Sequence, residues 1–151
     1  MKTLSISLGF FYFGYSIVVL SPMAEALSWK LGLDKAESEM AIYVANSLFY
    51  VGNMVGSLIS GRQRRFFKAK LMMITDVVGI LACLLMAVDS IGFILISRLI
   101  QGYVCGIFTS VIPVYVAETT PKKLSGLFGG IYHIFLPLGV TICFLLSSFL
   151  P

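Results

Sequence analysis

Residues 90–117 read SIGFILISRLIQGYVCGIFTSVIPVYVA, an apolar stretch with a single charge, Arg98. At about 1.5 Å per residue it is long enough, as a helix, to cross a hydrocarbon core of roughly 30 Å. Period-2 alternation is absent, which argues against a strand of a membrane barrel. Four similar stretches surround it. Lys2 and Glu25 bound the first, and Glu39 and Arg62 the second. The third, Leu71 to Val88, holds only Asp76, and no charge follows Lys123. The chain therefore reads as an all-α polytopic membrane protein, with spans at 4–21, 40–61, 71–88, 91–117 and 124–150.

Composition supports the same class. Over 151 residues, 58% are hydrophobic and 12% charged, with a mean hydropathy of +0.96. A soluble domain carries about 25% charge. A chain this short keeps a large share of its area exposed and cannot hide so much apolar surface from water.

Loop charges set the expected orientation. With a cytoplasmic N-terminus, Lys2, Arg62, Arg64, Arg65, Lys68, Lys70, Lys122 and Lys123 share one side, leaving Lys30 and Lys35 opposite. The excess of basic residues marks the cytoplasmic side. The cluster from Arg62 to Lys70 is thus a topology determinant, too short and too hemmed in to be a nucleic-acid platform. Asp34 followed by Glu37 fits the start of the second helix. An alternative for the first span stays open: Lys2, an apolar run and Ala24-Glu25-Ala26 also fit a secretory signal with a small-x-small cleavage site. The run is longer than a usual signal core, and both readings place residue 27 outside.

Enzyme chemistry is not legible. The chain has one histidine and no H-E-x-x-H, P-loop or G-x-S-x-G pattern. No cofactor, metal ligand set or catalytic residue is expected. Cys83, Cys105 and Cys143 form no CxxC pair and read as small core residues. Gly52, Gly56 and Ser60 recur every four residues, as do Gly102, Gly106 and Ser110. Such stripes let helices approach closely and say little about function. Polar groups inside spans say more, because each is costly without a partner or water. Asp76, Arg98, Ser16 and His133 are therefore candidate functional residues. The blander reading is a structural pair or an interfacial side chain.

One run is more specific. Arg98-Leu-Ile-Gln-Gly102-Tyr-Val-Cys-Gly106 precedes Pro113-Val-Tyr115-Val-Ala-Glu118-Thr-Thr-Pro121 and then Ser125-Gly126. It resembles the R-x-x-x-G-x-x-x-G fourth helix, P-x-Y-x-x-E, P and R-G of the sugar porter family of the major facilitator superfamily. Phe13-Gly14-Tyr15 is similar to that family's first-helix F-G-Y, and Gly52, Gly56 and Gly61 fall where its second helix packs. The resemblance covers essentially the whole chain. It implies a partial N-terminal bundle, residues 1–151, supplying five of twelve helices of a carrier whose halves rock around a sugar site.

The same resemblance implies roles. His133 takes the place of the family's usual sugar-binding Gln. Leu136 and Val140 would line the same cavity, with Phe13 opposite and Ser16 nearby. Arg98 would belong to an outer gating network and Glu118 to a cytoplasmic charge cluster that latches the halves. Asp76, singled out by its place inside a span, and Arg62 are grouped with them as candidates for the charge network. Departures refine this. Ser16 stands where proton-coupled members carry Asp, so facilitated diffusion is expected. Gly61-Arg62-Gln63-Arg64-Arg65 is shorter than the family loop and lacks its Asp, and Ser125 replaces an Arg. The expected partners are a sugar, the bilayer, and a missing C-terminal half or partner helix bundle. The plasma membrane is the family-level location. Two alternatives remain: a short non-transporting membrane protein that associates with a carrier, and a carrier of the same superfamily for a non-sugar solute.

Overall fold

Five helices run through the computed structural model, which describes residues 2–21, 35–61, 68–88, 90–121 and 125–149. They are α1 (Lys2–Val18), α2 (Lys35–Ser60), α3 (Lys68–Met86), α4 (Ile91–Thr119) and α5 (Ser125–Phe149). No strand occurs among the described residues. Glu37 lies in the first turn of α2, where an acid complements the helix dipole. Asp34, its expected companion, lies outside the described residues. Two segments, Ala36–Ser60 and Ile91–Thr119, are each long and apolar enough to cross a membrane.

α4 is the hub and touches each of the other four helices. Of its apolar window 56% is buried, against 22% for α2. The reason lies in its side chains. Ser97, Gly102, Cys105 and Gly106 are small and buried, so backbones can approach α4 from more than one side.

Two pairs, α2 with α4 and α1 with α5, form the most extensive contacts. Both close through glycine. A Cβ added at Gly52 would strike Leu99 O, and one at Gly102 would strike Phe49 O; Gly56 and Gly106 face Tyr103 O and Asn53 O in the same way. The two stripes seen in the sequence therefore face each other, and Ser110 Oγ donates to Ser57 O at 3.4 Å beyond them. In the second pair Gly14 faces Leu136 O and Gly139 faces Phe11 O. Backbone contact this close leaves no room for any side chain. In lipid it replaces the hydrophobic drive as the source of association.

Side-chain packing fills the rest. Phe10, Val104, Phe108, Ile112 and Val116 form one buried cluster, with Leu136 and Tyr12 packed against it. Leu20, Ile42, Ala45 and Ile94 form a second, nearer the start of α4. Cys105 and Cys143 are buried free thiols, as expected, but Cys83 is exposed. α3 meets the bundle chiefly through α4, and Cys83 lines an open cavity between α1, α3 and α4, which leaves it exposed.

Candidate functional site

Arg98 sits two turns into α4, about 10 Å along the helix axis from Ile91, with none of its surface exposed. Its Nη1 donates to the Ser16 carbonyl oxygen at 2.6 Å. The guanidinium carbon lies 5.9 Å from the centre of the Phe49 ring, within cation–π range. Nε and Nη2 have no hydrogen-bond partner among the described residues. Arginine stays charged inside proteins, so a buried cation here meets one carbonyl, one aromatic ring and no carboxylate among the described residues. Three helices create this arrangement: Ser16 closes α1, Phe49 belongs to the buried stripe of α2, and the glycines one turn away hold α2 against α4.

One turn further along α4, Gln101 is 2% exposed. Its Nε2 approaches Cys83 Sγ at 3.9 Å and Met86 Sδ at 3.7 Å, both weak acceptors, while Oε1 has no partner among the described residues. Cys83 Sγ in turn lies 3.8 Å from the Tyr12 hydroxyl, which reaches Gly79 O at 3.5 Å. These are long contacts, and they tie α3 to α1 and α4 only loosely.

The structure brings some of the expected residues together. Ser16 meets Arg98 through its backbone. On α5, Leu136 and Val140 are half-buried and His133 is exposed, with its ring packed edge-on against Phe10 at 5.9 Å. Phe13 is half-buried beside Gly14, the residue that meets Leu136 O. α5 thus brings His133 and Leu136 against α1, at Phe10 and Gly14.

Other residues stand apart. Glu118 is half-buried in the last turn of α4, about 30 Å along the helix axis from Arg98 at 1.5 Å per residue. Asp76 is exposed mid-way along α3. It lines a cavity of about 560 Å³ bounded by α1, α3 and α4, with Tyr12, Gly79, Cys83 and Phe108. None of His133, Leu136, Val140, Phe13 or Ser16 lines that cavity. Arg62 lies outside the described residues. Phe49 is the contact that sequence reasoning missed, because one phenylalanine in an apolar span carries no signal of what lies over it.

The sequence profile described as Sugar (and other) transporter matches residues 2–150. The chain belongs to the sugar transporter family. Sugar transporter ERD6-like 6 of Arabidopsis thaliana is 33% identical over 152 residues, an alignment covering 98% of this chain and 30% of that protein. Solute carrier family 2, facilitated glucose transporter member 3 of Oryctolagus cuniculus is 27% identical, over 90% of this chain and 30% of its own length. Among solved structures, a major facilitator superfamily proton:xylose symporter bound to 6-bromo-6-deoxy-D-glucose matches with a TM-score of 0.81 at 20% identity. That match covers 97% of this chain and 36% of the symporter, and it assigns the fold, the helical bundle of that part of the symporter. This sugar-transporter-family chain spans about 30% of the length of the curated relatives it matches.

Proposed function

We propose that the chain is the N-terminal portion of a longer, facilitative hexose-type carrier that works by alternating access. The observation that carries this reading is Arg98. The guanidinium is fully buried and bonded to a backbone carbonyl, with no carboxylate beside it among the described residues. A proton-coupled mechanism needs an acid that loads and unloads at that depth, and Ser16 offers none. In this reading His133, Leu136, Val140, Phe13 and Ser16 contact the solute. Arg98 serves the outer gate, and Asp76, Glu118 and Arg62 the wider charge network. The carrier performs no covalent chemistry and needs no cofactor or nucleic acid. It is placed in the plasma membrane with its N-terminus in the cytoplasm.

Surface chemistry supports a partner bundle. One exposed flank of α3 is aliphatic, with Met73, Ile74, Val77 and Leu81, and suits lipid, while Asp76 lies on the flank that lines the cavity with α1 and α4. The exposed face of α2 mixes Tyr43, Ser47 and Tyr50 among its aliphatics. Polar side chains inside a span face protein or water rather than hydrocarbon, so α2 suits the missing half and α3 the bilayer. The test is uptake by the complete carrier in competition with hexoses, polyols and organic acids. Displacement by hexoses is expected; displacement by organic acids alone would sink the sugar assignment.

A further inference from the structure

The two glycine-closed helix pairs share one register. In α1/α5, Gly14 meets the carbonyl three residues before Gly139, and Gly139 meets the carbonyl three before Gly14 and the amide nitrogen one after it. In α4/α2, Gly102 meets the carbonyl three before Gly52, and Gly52 meets the carbonyl three before Gly102 and the nitrogen one after it. Gly14 thus corresponds to Gly102, and Gly139 to Gly52. An independent contact agrees. Phe10 and Arg98 are then mates, as are Leu136 and Phe49; Leu136 packs on the cluster that holds Phe10, and Phe49 lies under Arg98.

Extending the register along α5 and α2 pairs His133 with Asn46 and Val140 with Asn53. These are the only two asparagines in the chain. They lie seven residues apart on one face of α2, both half-buried. Neither amide takes part in a hydrogen bond within the described residues. An amide carries two donors and an acceptor, and inside a span it is costly unless water or a ligand supplies partners.

We propose that Asn46 and Asn53 form a second polar wall of the solute path, on α2, equivalent to the wall that α5 builds with His133 and Val140. The inference rests on the functional reading above. The two amides sit about 10 Å apart along the path and set specificity by donating to and accepting from the hydroxyls of a polyhydroxylated solute.

Site-directed cysteines in the complete carrier separate this inference from that reading. His133→Cys, Asn46→Cys and Asn53→Cys would be labelled with a membrane-impermeant charged methanethiosulfonate, with and without saturating hexose. Met73→Cys on the aliphatic face of α3 and the parent protein set the baseline. Labelling at 46 and 53 well above that baseline, slowed by hexose as at 133, is expected. Asn46→Ala and Asn53→Ser should each raise KM for hexose by about tenfold, the worth of one polar contact, with carrier abundance unchanged. If position 133 is labelled and protected while 46 and 53 stay at baseline, the inference is overturned and the functional reading stands. If hexose protects none of the three, both fall.

Discussion

The helix pairs α1/α5 and α4/α2 close in the same way but carry different chemistry at equivalent places. Where the first pair has Phe10, the second has Arg98. Where the first has His133 and Val140, the second has Asn46 and Asn53. Packing is thus repeated while polarity is not. The glycines are needed twice for one physical reason, close backbone approach in lipid. The buried cation appears once, and a group that packing does not require is the better candidate for function.

The largest effects should come from attacking the shared element. Gly14→Val and Gly102→Val each place side-chain atoms against a backbone carbonyl, Leu136 O and Phe49 O respectively. Overpacking costs about 1–3 kcal/mol or more, and a backbone neighbour has little freedom to yield. Both variants should lose most monodisperse protein in detergent size-exclusion chromatography. Gly92→Ala, with open space around it, should match the parent. A normal profile for Gly102→Val would break the argument that these contacts hold the pairs together.

The next prediction turns one pair into the other. Arg98→Phe gives α4 the residue that α1 carries at the equivalent place. Replacing a buried charge with a packed apolar group is often neutral or stabilising by about 1–4 kcal/mol, so the thermal midpoint should hold or rise. Uptake should nevertheless fall roughly ten- to a hundredfold, the worth of a hydrogen bond to a charged group. Asp76→Ala, on the cavity flank of α3, should lose less. Equal losses would remove Arg98 from its gating role.

Ser16→Asp sharpens the same contrast by supplying the acid that Arg98 lacks. Uptake should become pH-dependent and sensitive to a protonophore, because a group able to load a proton then faces the guanidinium. Unchanged pH behaviour would mean that residue 16 does not address Arg98 through its side chain. Cys83→Ser should have the smallest effect. It disturbs only contacts of 3.8 and 3.9 Å to Tyr12 and Gln101, and a thermal shift beyond a degree or two would show those contacts to be stronger than their lengths suggest.

How much of this was legible in the sequence depended on repetition. Gly52/Gly56 and Gly102/Gly106 recur every four residues, so their faces could be read before their partners were known. Gly14 and Gly139 could not, since each acts alone in its helix and pairs only across the fold. Arg98 stood out as the one charge in a long apolar run, but nothing local announced Phe49 beneath it. Asn46 and Asn53 stayed silent for another reason: their equivalence to His133 and Val140 comes from a register between helices, which one strand of text does not carry. The resemblance to sugar porters rested on residues 98–126, where spacing and residue type agree together. Cys83 looked like a core residue because its neighbours are apolar, and burial across α3 is decided by which helices lie beside it.

The most direct test of the central claim is hexose uptake into vesicles by the complete carrier, measured with and without a protonophore. Saturable uptake that the protonophore leaves unchanged, and that falls roughly ten- to a hundredfold in Arg98→Phe, is the expected result. Uptake that collapses with the proton gradient, or survives intact in Arg98→Phe, would contradict it.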